Sequence, residues 1–187
     1  WDSQYYVDIA TNGYWFRPGQ QSNVAFFPLY PMTMQVVAKF LGGNLILTGF
    51  IISNLAFLGG LIFFYLLTEL ELGSDSAKRA VYYLAFFPTS FFFSSVYTES
   101  MFVFLSITTM YFARKHQWMW AAVFGILTAA TRNLGILMWA LCIWEWMRFQ
   151  GWAFLSMHKK QTWLNLWNGF KQHWFDLVII SLIPLGM

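Results

Sequence analysis

The chain has 187 residues, of which 58% are hydrophobic, 22% aromatic and only 10% charged, with a net charge of +3. A soluble domain carries about a quarter charged residues, so this composition predicts an all-α integral membrane protein built from several hydrophobic helices. The few basic residues fall in short clusters, which excludes a nucleic-acid-binding face, and a single cysteine, Cys142, excludes a disulfide within the chain.

Residues 1–44 are predicted to form an outer loop that carries short interfacial helices. The first helix should begin at Asp2 or Ser3, either of which can cap its N-terminus, and should end at Gly13. Asp2 and Asp8 are six residues apart, so they do not share one stripe of this helix. Spacing alone therefore leaves both a capping role and a chemical role open for Asp2.

The same loop contains the segment Asn23–Pro31, which holds two prolines and many aromatic residues. These residues predict a stiff, non-helical turn at the membrane interface, because proline restricts its own backbone and that of the preceding residue. A packing corner is the simplest explanation of this turn. Arg17 precedes it and adds a cation to the loop.

Residues 45–150 are predicted to be transmembrane helices, and residues 174–187 to begin a further one. A crossing helix needs about 20 apolar residues, with about 17 as a practical minimum. Apolar runs predict five spans and the start of a sixth: Leu45–Leu67, Ala80–Val96, Met101–Ala113, Trp118–Ala130, Leu134–Met147 and Phe175–Met187. The short runs also fit buried half-helices shielded by other protein segments. We expect a fragment of a longer protein, because the chain starts without methionine and stops inside an apolar run.

Basic residues give these spans a direction. If the first span runs inward, most basic residues fall on the cytoplasmic side, as the positive-inside rule requires: Lys78, Arg79, Arg114, Lys115, Arg148, Lys159, Lys160 and Lys171. Residues 1–44 then face the periplasm at a bacterial plasma membrane, or the lumen of the ER. Residues 151–173 mix aromatic with basic residues and predict an amphipathic interfacial segment on the cytoplasmic surface.

Two more polar clusters fall on the predicted outer side. Pro88 should kink or end its span, and Tyr97 and Glu99 follow it, with Glu99 in the first turn of the next helix, where a carboxylate is favourable. Arg132 lies in the outer turn Thr131–Asn133, although arginine is costly near a bilayer. From the residues alone, Arg132 either reaches lipid headgroups or binds a phosphate through two hydrogen bonds.

Four blocks of the sequence resemble the PIG-V-like mannosyltransferases, a family that contains the second mannosyltransferase of GPI-anchor synthesis and bacterial relatives. The blocks are Trp1–Ser3 with Tyr5, Tyr6, Ile9, Ala10, Gly13 and Tyr14, then Val24–Pro31, Phe87–Ser100, and Ala129–Arg132 with Gly135. The family more often has proline where Asn133 stands. Four blocks in order, spread over residues 1–140, make the resemblance fairly specific.

The resemblance implies a GT-C fold, in which a multispanning helical bundle carries a glycosyltransferase site on its outer face. It also implies transfer of a sugar, expected to be mannose, from a polyprenyl or dolichyl phosphate to a glycolipid or other glycan, with inversion at the anomeric carbon. The family's aspartate in the first outer loop is taken as the catalytic base and corresponds to Asp2. A carboxylate can accept the acceptor's proton, and phosphate leaves as a stable anion without an acid partner.

Substrate-binding roles are then expected for Asp8, Arg17, Tyr97, Glu99 and Arg132. Either arginine would supply a cation to the leaving phosphate, and the acidic residues would orient the acceptor. The aromatic blocks would hold the isoprenoid tail or the sugar. No metal-ligand spacing occurs in the sequence, and no cofactor is expected.

Two other functions fit the same residues. A transporter or flippase of a lipid-linked substrate would use Arg132, but it predicts charged residues along a path through the membrane. Glu145 and Arg148 come nearest to this, and their spacing of three residues predicts a surface pair beside the cytoplasmic edge. The third possibility is a non-catalytic membrane assembly subunit that binds lipid without turnover.

Overall fold

The computed structural model describes residues 2–152 and 160–187, and the regular elements in this part of the chain are all helical. The helices are α1 (Asp2–Asn12), α2 (Leu29–Ala38), α3 (Leu45–Leu72), α4 (Ser74–Ala85), α5 (Glu99–Arg114), α6 (Trp118–Ala129), α7 (Leu137–Phe149) and α8 (Lys160–Ile180). Short 3-10 turns lie at Asn23–Ala25, Ser90–Ser94, Asn133–Ile136 and Ile183–Gly186. The all-helical prediction is confirmed for the described residues.

The longest helix, α3, has 28 residues and a mean hydropathy of 2.2 over its most apolar stretch. Asn44 caps its start by accepting a hydrogen bond from the Leu47 amide at 3.0 Å, and Gly73, with a φ of +82°, ends it. Within the described part of the chain, α3 alone is long and apolar enough to cross a membrane. The shorter α6 is apolar but has only 12 residues, so repeated crossing stays a prediction.

Two predicted spans are interrupted: Ala80–Val96, where a break at Pro88 was predicted, and Phe175–Met187, where none was. In Ala80–Val96 the helix ends at Ala85, because Pro88 has no amide hydrogen with which to continue it. The Ser90 hydroxyl donates a hydrogen bond to the Leu84 carbonyl at 2.6 Å and so satisfies part of the exposed helix end. In Phe175–Met187 the helix similarly ends at Ile180, and a 3-10 turn around a proline follows.

The segment Asn23–Pro31 is helical at its end, where a non-helical turn was predicted. Helix α2 begins at Leu29, and Pro31 lies in its first turn. The first-turn amides of a helix have no intrahelical partner, so the missing hydrogen of proline costs little there. The chain therefore folds back as a helix immediately after Pro28.

Two apolar clusters hold the helices together. One joins α1 and α2 to α3 and α5: Tyr6, Ala10, Tyr30, Met34, Ile52, Ala56, Met101 and Leu105. The other joins the end of α5 to α6, α7 and the end of α8: Ala113, Trp118, Ala121, Ala122, Met138, Cys142, Trp146, Ile179, Ile180 and Ile183. The first cluster fixes the predicted outer loop onto the helix ends where Glu99 lies.

A charged network lies at the other end of α5, and it corrects the prediction that Glu145 and Arg148 form a surface pair. The Glu145 side chain is only 6% exposed, and its two oxygens contact Arg148 at 2.9 Å and Arg114 at 3.4 Å. Arg114 also lies 3.3 Å from Glu71. These four residues, the Glu145 network, join α3, α5 and α7.

The predicted interfacial segment 151–173 is described in part, because residues 153–159 lie outside the described ranges. The rest belongs to α8, whose backbone leaves helical geometry at His173. That position coincides with the predicted boundary between the interfacial segment and the next span. Its place at a membrane surface stays a prediction.

Candidate active site

Helix α1 carries its two aspartates on different sides, as the sequence predicted. Tyr6, Ile9 and Ala10 are buried and define the side that packs on the bundle. Asp2 is exposed, but it lies one helical turn before Tyr6 on that same side. Asp8 lies on the side that faces away from the bundle. The packing of Tyr6 therefore determines the direction in which Asp2 points.

Tyr6 links α1 to the start of α5. Its hydroxyl lies 3.3 Å from the Thr98 hydroxyl, and its ring packs edge-on against Phe26 and Tyr30, with centroids 5.1 and 5.3 Å apart. Burial raises the pKa of the Tyr6 hydroxyl; the hydrogen bond to Thr98 opposes this shift, and the charges of Glu99, Arg132 and Asp2 also act on it. Charges from three segments of the chain therefore act on the pKa of one buried tyrosine.

Sequence reasoning missed Tyr6. The available signal was its position four residues after Asp2, which places both on one side of a helix. A tyrosine in an aromatic-rich outer loop is nevertheless interpreted first as an anchor at the membrane interface. Only the contact with Thr98, which is 92 residues away, identifies Tyr6 as part of a site.

Glu99 and Arg132 form an ion pair at this site. One guanidinium nitrogen, Nη1, lies 2.9 Å from Glu99 Oε1, and the side chains are 40% and 33% exposed. The other oxygen, Oε2, is buried and accepts no hydrogen bond from the described residues. The guanidinium also lies over the Phe102 ring, 5.9 Å from its centroid. One nitrogen of Arg132 is thus engaged, and the rest of its fork remains available to an anion.

The turn that holds Arg132 is fixed by close backbone packing. The Thr131 hydroxyl donates to the Thr128 carbonyl at 2.6 Å, and the Ala130 carbonyl accepts from the Leu29 amide at 3.1 Å. A Cβ added to Gly135 would collide with the Thr128 backbone. Glycine is therefore required where the chain returns past the end of α6. Asp2, Tyr6, Glu99 and Arg132 are called the Arg132 cluster below.

Asp8 has an architectural role in this structure. Its carboxylate accepts hydrogen bonds from the Trp15 indole at 2.7 Å, the Asn12 amide at 2.8 Å and the Asn23 amide at 3.2 Å. These bonds lower the pKa of Asp8, the Trp15 bond most and then the Asn12 bond. Asn23 in turn accepts from the Trp15 backbone amide at 2.8 Å. Asp8 thus ties α1 to the loop that follows it.

Arg17 lies on the Asp8 side of α1. Its guanidinium stacks over the Trp15 ring, 5.1 Å from the centroid, and its backbone amide donates to the Ser22 hydroxyl at 3.0 Å. These contacts lie within its own loop and involve no member of the Arg132 cluster. Of the two arginines expected near the leaving phosphate, the structure brings Arg132 to the cluster.

Two open grooves flank the side of α1 that carries Asp8. One has a volume of about 540 Å³ and runs between α1 and a wall formed by Ile46 and Val96. The other, of about 530 Å³, is lined by Tyr5, Trp15 and Arg17. The first is mainly apolar and the second more polar, so a ligand with an apolar and a polar part could use both sides of this helix.

Tyr97 forms part of the wall beside the cluster. Its ring contacts Phe92, with centroids 6.0 Å apart, and its backbone carbonyl accepts a hydrogen bond from Ser53 at 3.3 Å. Both contacts hold the segment of the chain that leads into Thr98 and Glu99. Among the described residues, no group of three His, Cys, Asp or Glu side chains could hold a metal ion.

Comparisons with known proteins agree on one family. The family model described as Mannosyltransferase (PIG-V) matches residues 1–180. GPI mannosyltransferase 2 of Drosophila pseudoobscura pseudoobscura is 34% identical over 121 residues, which cover 59% of this chain and 26% of that protein. The chain thus aligns with about a quarter of the length of this curated relative. No solved structure matches the chain.

Proposed function

We propose that this chain, which belongs to the PIG-V mannosyltransferase family, forms the catalytic outer-face region of a membrane mannosyltransferase. Its donor would be mannose on a polyprenyl or dolichyl phosphate, and its acceptor a glycolipid of the GPI-anchor type in the ER membrane. One observation carries this proposal: the Glu99–Arg132 ion pair lies at the start of α5, where Tyr6 of α1 contacts Thr98, one helical turn after Asp2. That arrangement supplies a base and a cation without a metal ligand set.

Asp2 is the proposed base. The acceptor hydroxyl oxygen attacks the anomeric carbon of the mannose, and its proton passes to the Asp2 carboxylate. The bond between that carbon and the phosphate oxygen breaks, and the electron pair leaves with the phosphate. A single displacement inverts the anomeric centre. Asp2 suits this role because it is exposed at the end of a helix whose next turn is anchored.

Arg132 is the proposed partner of the leaving phosphate. Charge grows on the phosphate oxygens as the bond breaks, and a preorganised guanidinium stabilises it most in a partly buried site. Glu99 holds one nitrogen of Arg132 through a charge-assisted hydrogen bond of 2.9 Å. This contact supports a role for Glu99 in positioning Arg132, in place of the acceptor-orienting role expected from the sequence.

The lipid part of the donor has a candidate apolar path on the Asp8 side of α1. The groove lined by Ile46 and Val96 shares these two residues with a third groove, which has a volume of about 690 Å³ and is also lined by Phe50 and Phe91. A lipid tail could lie along this continuous wall at the outer end of α3. The proposal therefore places the reaction at the outer end of the transmembrane region, with α3 as one of several spans.

The test compares two aspartates on one helix. In the full-length enzyme, Asp2→Asn should reduce mannose transfer from polyprenyl-phosphate mannose by about 100- to 10,000-fold, because the acceptor loses its base. Asp8→Asn is the matched control, since it makes the same change two turns away and should retain most of the transfer. Normal transfer by Asp2→Asn would exclude it as the base. Donor binding without turnover in the unmodified protein would favour an assembly subunit instead.

A further inference from the structure

Helix α8 exposes a row of aromatic side chains that no part of the proposed reaction uses. Trp167 and Phe170 are 57% and 48% exposed and, three residues apart, lie on one side of the helix, and Trp174, which is 55% exposed, follows just after the break in helical geometry at His173. Trp163 continues the row at 58% exposure. These four residues are called the aromatic stripe.

The other side of α8 fixes the direction of the stripe. Gly169 is buried, and a Cβ added to it would collide with the Gln150 side chain at the end of α7. By helical spacing, Gly169 lies more than 90° around the helix from the stripe. Close packing at this glycine therefore turns the aromatic stripe away from the bundle.

The helix changes environment at its kink. At His173 the backbone leaves helical geometry, and the His173 Nδ1 atom lies 3.4 Å from the Asp176 carboxylate. Beyond this point Ile179 and Ile180 are buried in the second apolar cluster. The half before the kink is thus a surface helix, and the half after it enters the core.

The sequence that carries the stripe is basic up to Asp176, which lies two residues after Trp174. Between Glu145 and Asp176 the sequence has no acidic residue, whereas it has four basic ones: Arg148, Lys159, Lys160 and Lys171. The Lys171 ammonium lies 5.2 Å from the centroid of the Trp167 ring, so a cation borders the stripe. The surface that complements the stripe and its lysine is an apolar layer bordered by negative charge.

We propose that the aromatic stripe docks in the headgroup region of a lipid leaflet that contains anionic lipids. Indole rings favour that region because they have an apolar body and a polar N–H, and the lysine can reach the phosphates at its border. A protein partner fits less well, because lysine is depleted from the buried cores of protein interfaces. The half of α8 before His173 would lie along the membrane surface and anchor the entry of the second half into the bundle.

The experiment measures the depth of single spin labels in the full-length protein, reconstituted in vesicles of phosphatidylcholine and phosphatidylglycerol. Labels replace Trp167, Phe170 or Trp174 in turn, and labels at Asn168 and Gln172, exposed residues on another side of the helix, are the controls. We expect labels on the stripe to be more accessible to oxygen than to a water-soluble nickel complex, and the controls to show the reverse. Nickel accessibility along the whole helix would contradict docking. Low accessibility to both reagents on the stripe would show that protein covers it and would also overturn the proposal.

A second arm tests the lipid charge. With the label at Phe170, Lys171→Glu or vesicles of phosphatidylcholine alone should shift the equilibrium between docked and undocked label by about fivefold, the usual contribution of one lysine at an anionic surface. Lys115→Glu, the same charge change at the end of α5, is the matched control and should leave it unchanged. An equilibrium independent of lipid charge would contradict the anionic-lipid part. Because mannose transfer is not measured, the result stands apart from the proposed function.

Discussion

Two charged clusters lie at opposite ends of α5, and each contains a glutamate 2.9 Å from an arginine nitrogen. In the Glu145 network the glutamate side chain is 6% exposed, and both its oxygens contact arginines from two helices. In the Arg132 cluster Glu99 is 33% exposed, and its buried Oε2 accepts nothing from the described residues. The carboxylate is therefore buried and fully paired in the Glu145 network, the closed cluster below, and partly exposed in the Arg132 cluster, the open cluster below, although a groove of about 510 Å³ also borders the Glu145 network.

This difference distinguishes charged residues that stabilise the fold from charged residues that can bind a ligand. A buried charge whose partners are complete holds helices in place, and removing one partner leaves the others uncompensated. A cluster with an exposed carboxylate and a partly engaged arginine retains capacity for a ligand, and such groups concentrate at functional sites. Four substitutions or conditions test this contrast, from the largest expected effect to the smallest.

Removing the cation of the open cluster should affect catalysis without affecting folding. For Arg132→Gln we expect kcat for mannose transfer to fall by about 100- to 1,000-fold, because the leaving phosphate loses its charged partner. The thermal unfolding temperature should stay close to that of the unmodified protein. Arg148→Gln is the matched control in the closed network and should retain transfer. Equal losses of transfer in both variants would contradict the contrast.

Removing the central carboxylate of the closed network should affect folding first. Glu145→Ala leaves Arg114 and Arg148 without their shared partner, and we expect the free energy of unfolding to fall by about 3 kcal/mol. The measurement is thermal or denaturant unfolding of the purified protein. Glu71→Ala removes a more exposed carboxylate from the same network and should cost less than about 1 kcal/mol. A Glu145 variant of normal stability but without transfer would instead revive the transporter interpretation.

Glu99→Gln tests positioning within the open cluster. The amide keeps the shape of the side chain but weakens its bond to Arg132, so Arg132 stabilises the leaving phosphate less and kcat should fall about tenfold, which corresponds to roughly 1.4 kcal/mol. The KM for the polyprenyl-phosphate donor should change much less. A loss of kcat as large as that of Asp2→Asn would assign Glu99 to the chemistry itself.

Mild acid should loosen the first outer loop through Asp8. Hydrogen bonds, the one from Trp15 first, lower the pKa of this group below its ordinary 3.8, so its stabilisation is complete above that pH and is lost as the pH falls through the folded pKa. An acid-active protease should cut residues 14–22 faster as the pH drops below about 4. In Asp8→Asn the cutting should be fast already at pH 5 and should lose most of its pH dependence. A loop equally resistant in both proteins would contradict the architectural role.

Much of the local structure followed from the sequence. Gly13 ends α1, with a φ of +80°, and Glu99 begins α5, both as predicted. The family membership was also predictable from four blocks and is confirmed over residues 1–180. The end of a helix before Pro88 was also predicted, whereas the errors lay at Ile180, where a helix ends inside an apolar run, and at Leu29, where one starts beside two prolines.

The partners of charged residues were less predictable, because they depend on contacts between distant segments. Spacing paired Glu145 with Arg148 correctly, but it could not show that Arg114 and Glu71 complete the network and bury the carboxylate. Spacing likewise did not distinguish the environment of the Asp8 carboxylate from that of the Asp2 carboxylate. Only the folding back of residues 13–23 onto α1 brings Asn23 to Asp8 and closes that site.

The sequence by itself determined the helical, apolar character of this protein, the ends of several helices and its family, because these depend on neighbouring residues and on composition. Tertiary structure alone decided that Tyr6 meets Thr98, 92 residues away, and that Arg132 meets Glu99, 33 residues away. Those contacts depend on how α1, α5 and the turn after α6 pack at one end of the bundle. Helical periodicity determines the side of a helix on which a residue lies, whereas packing determines what that side touches.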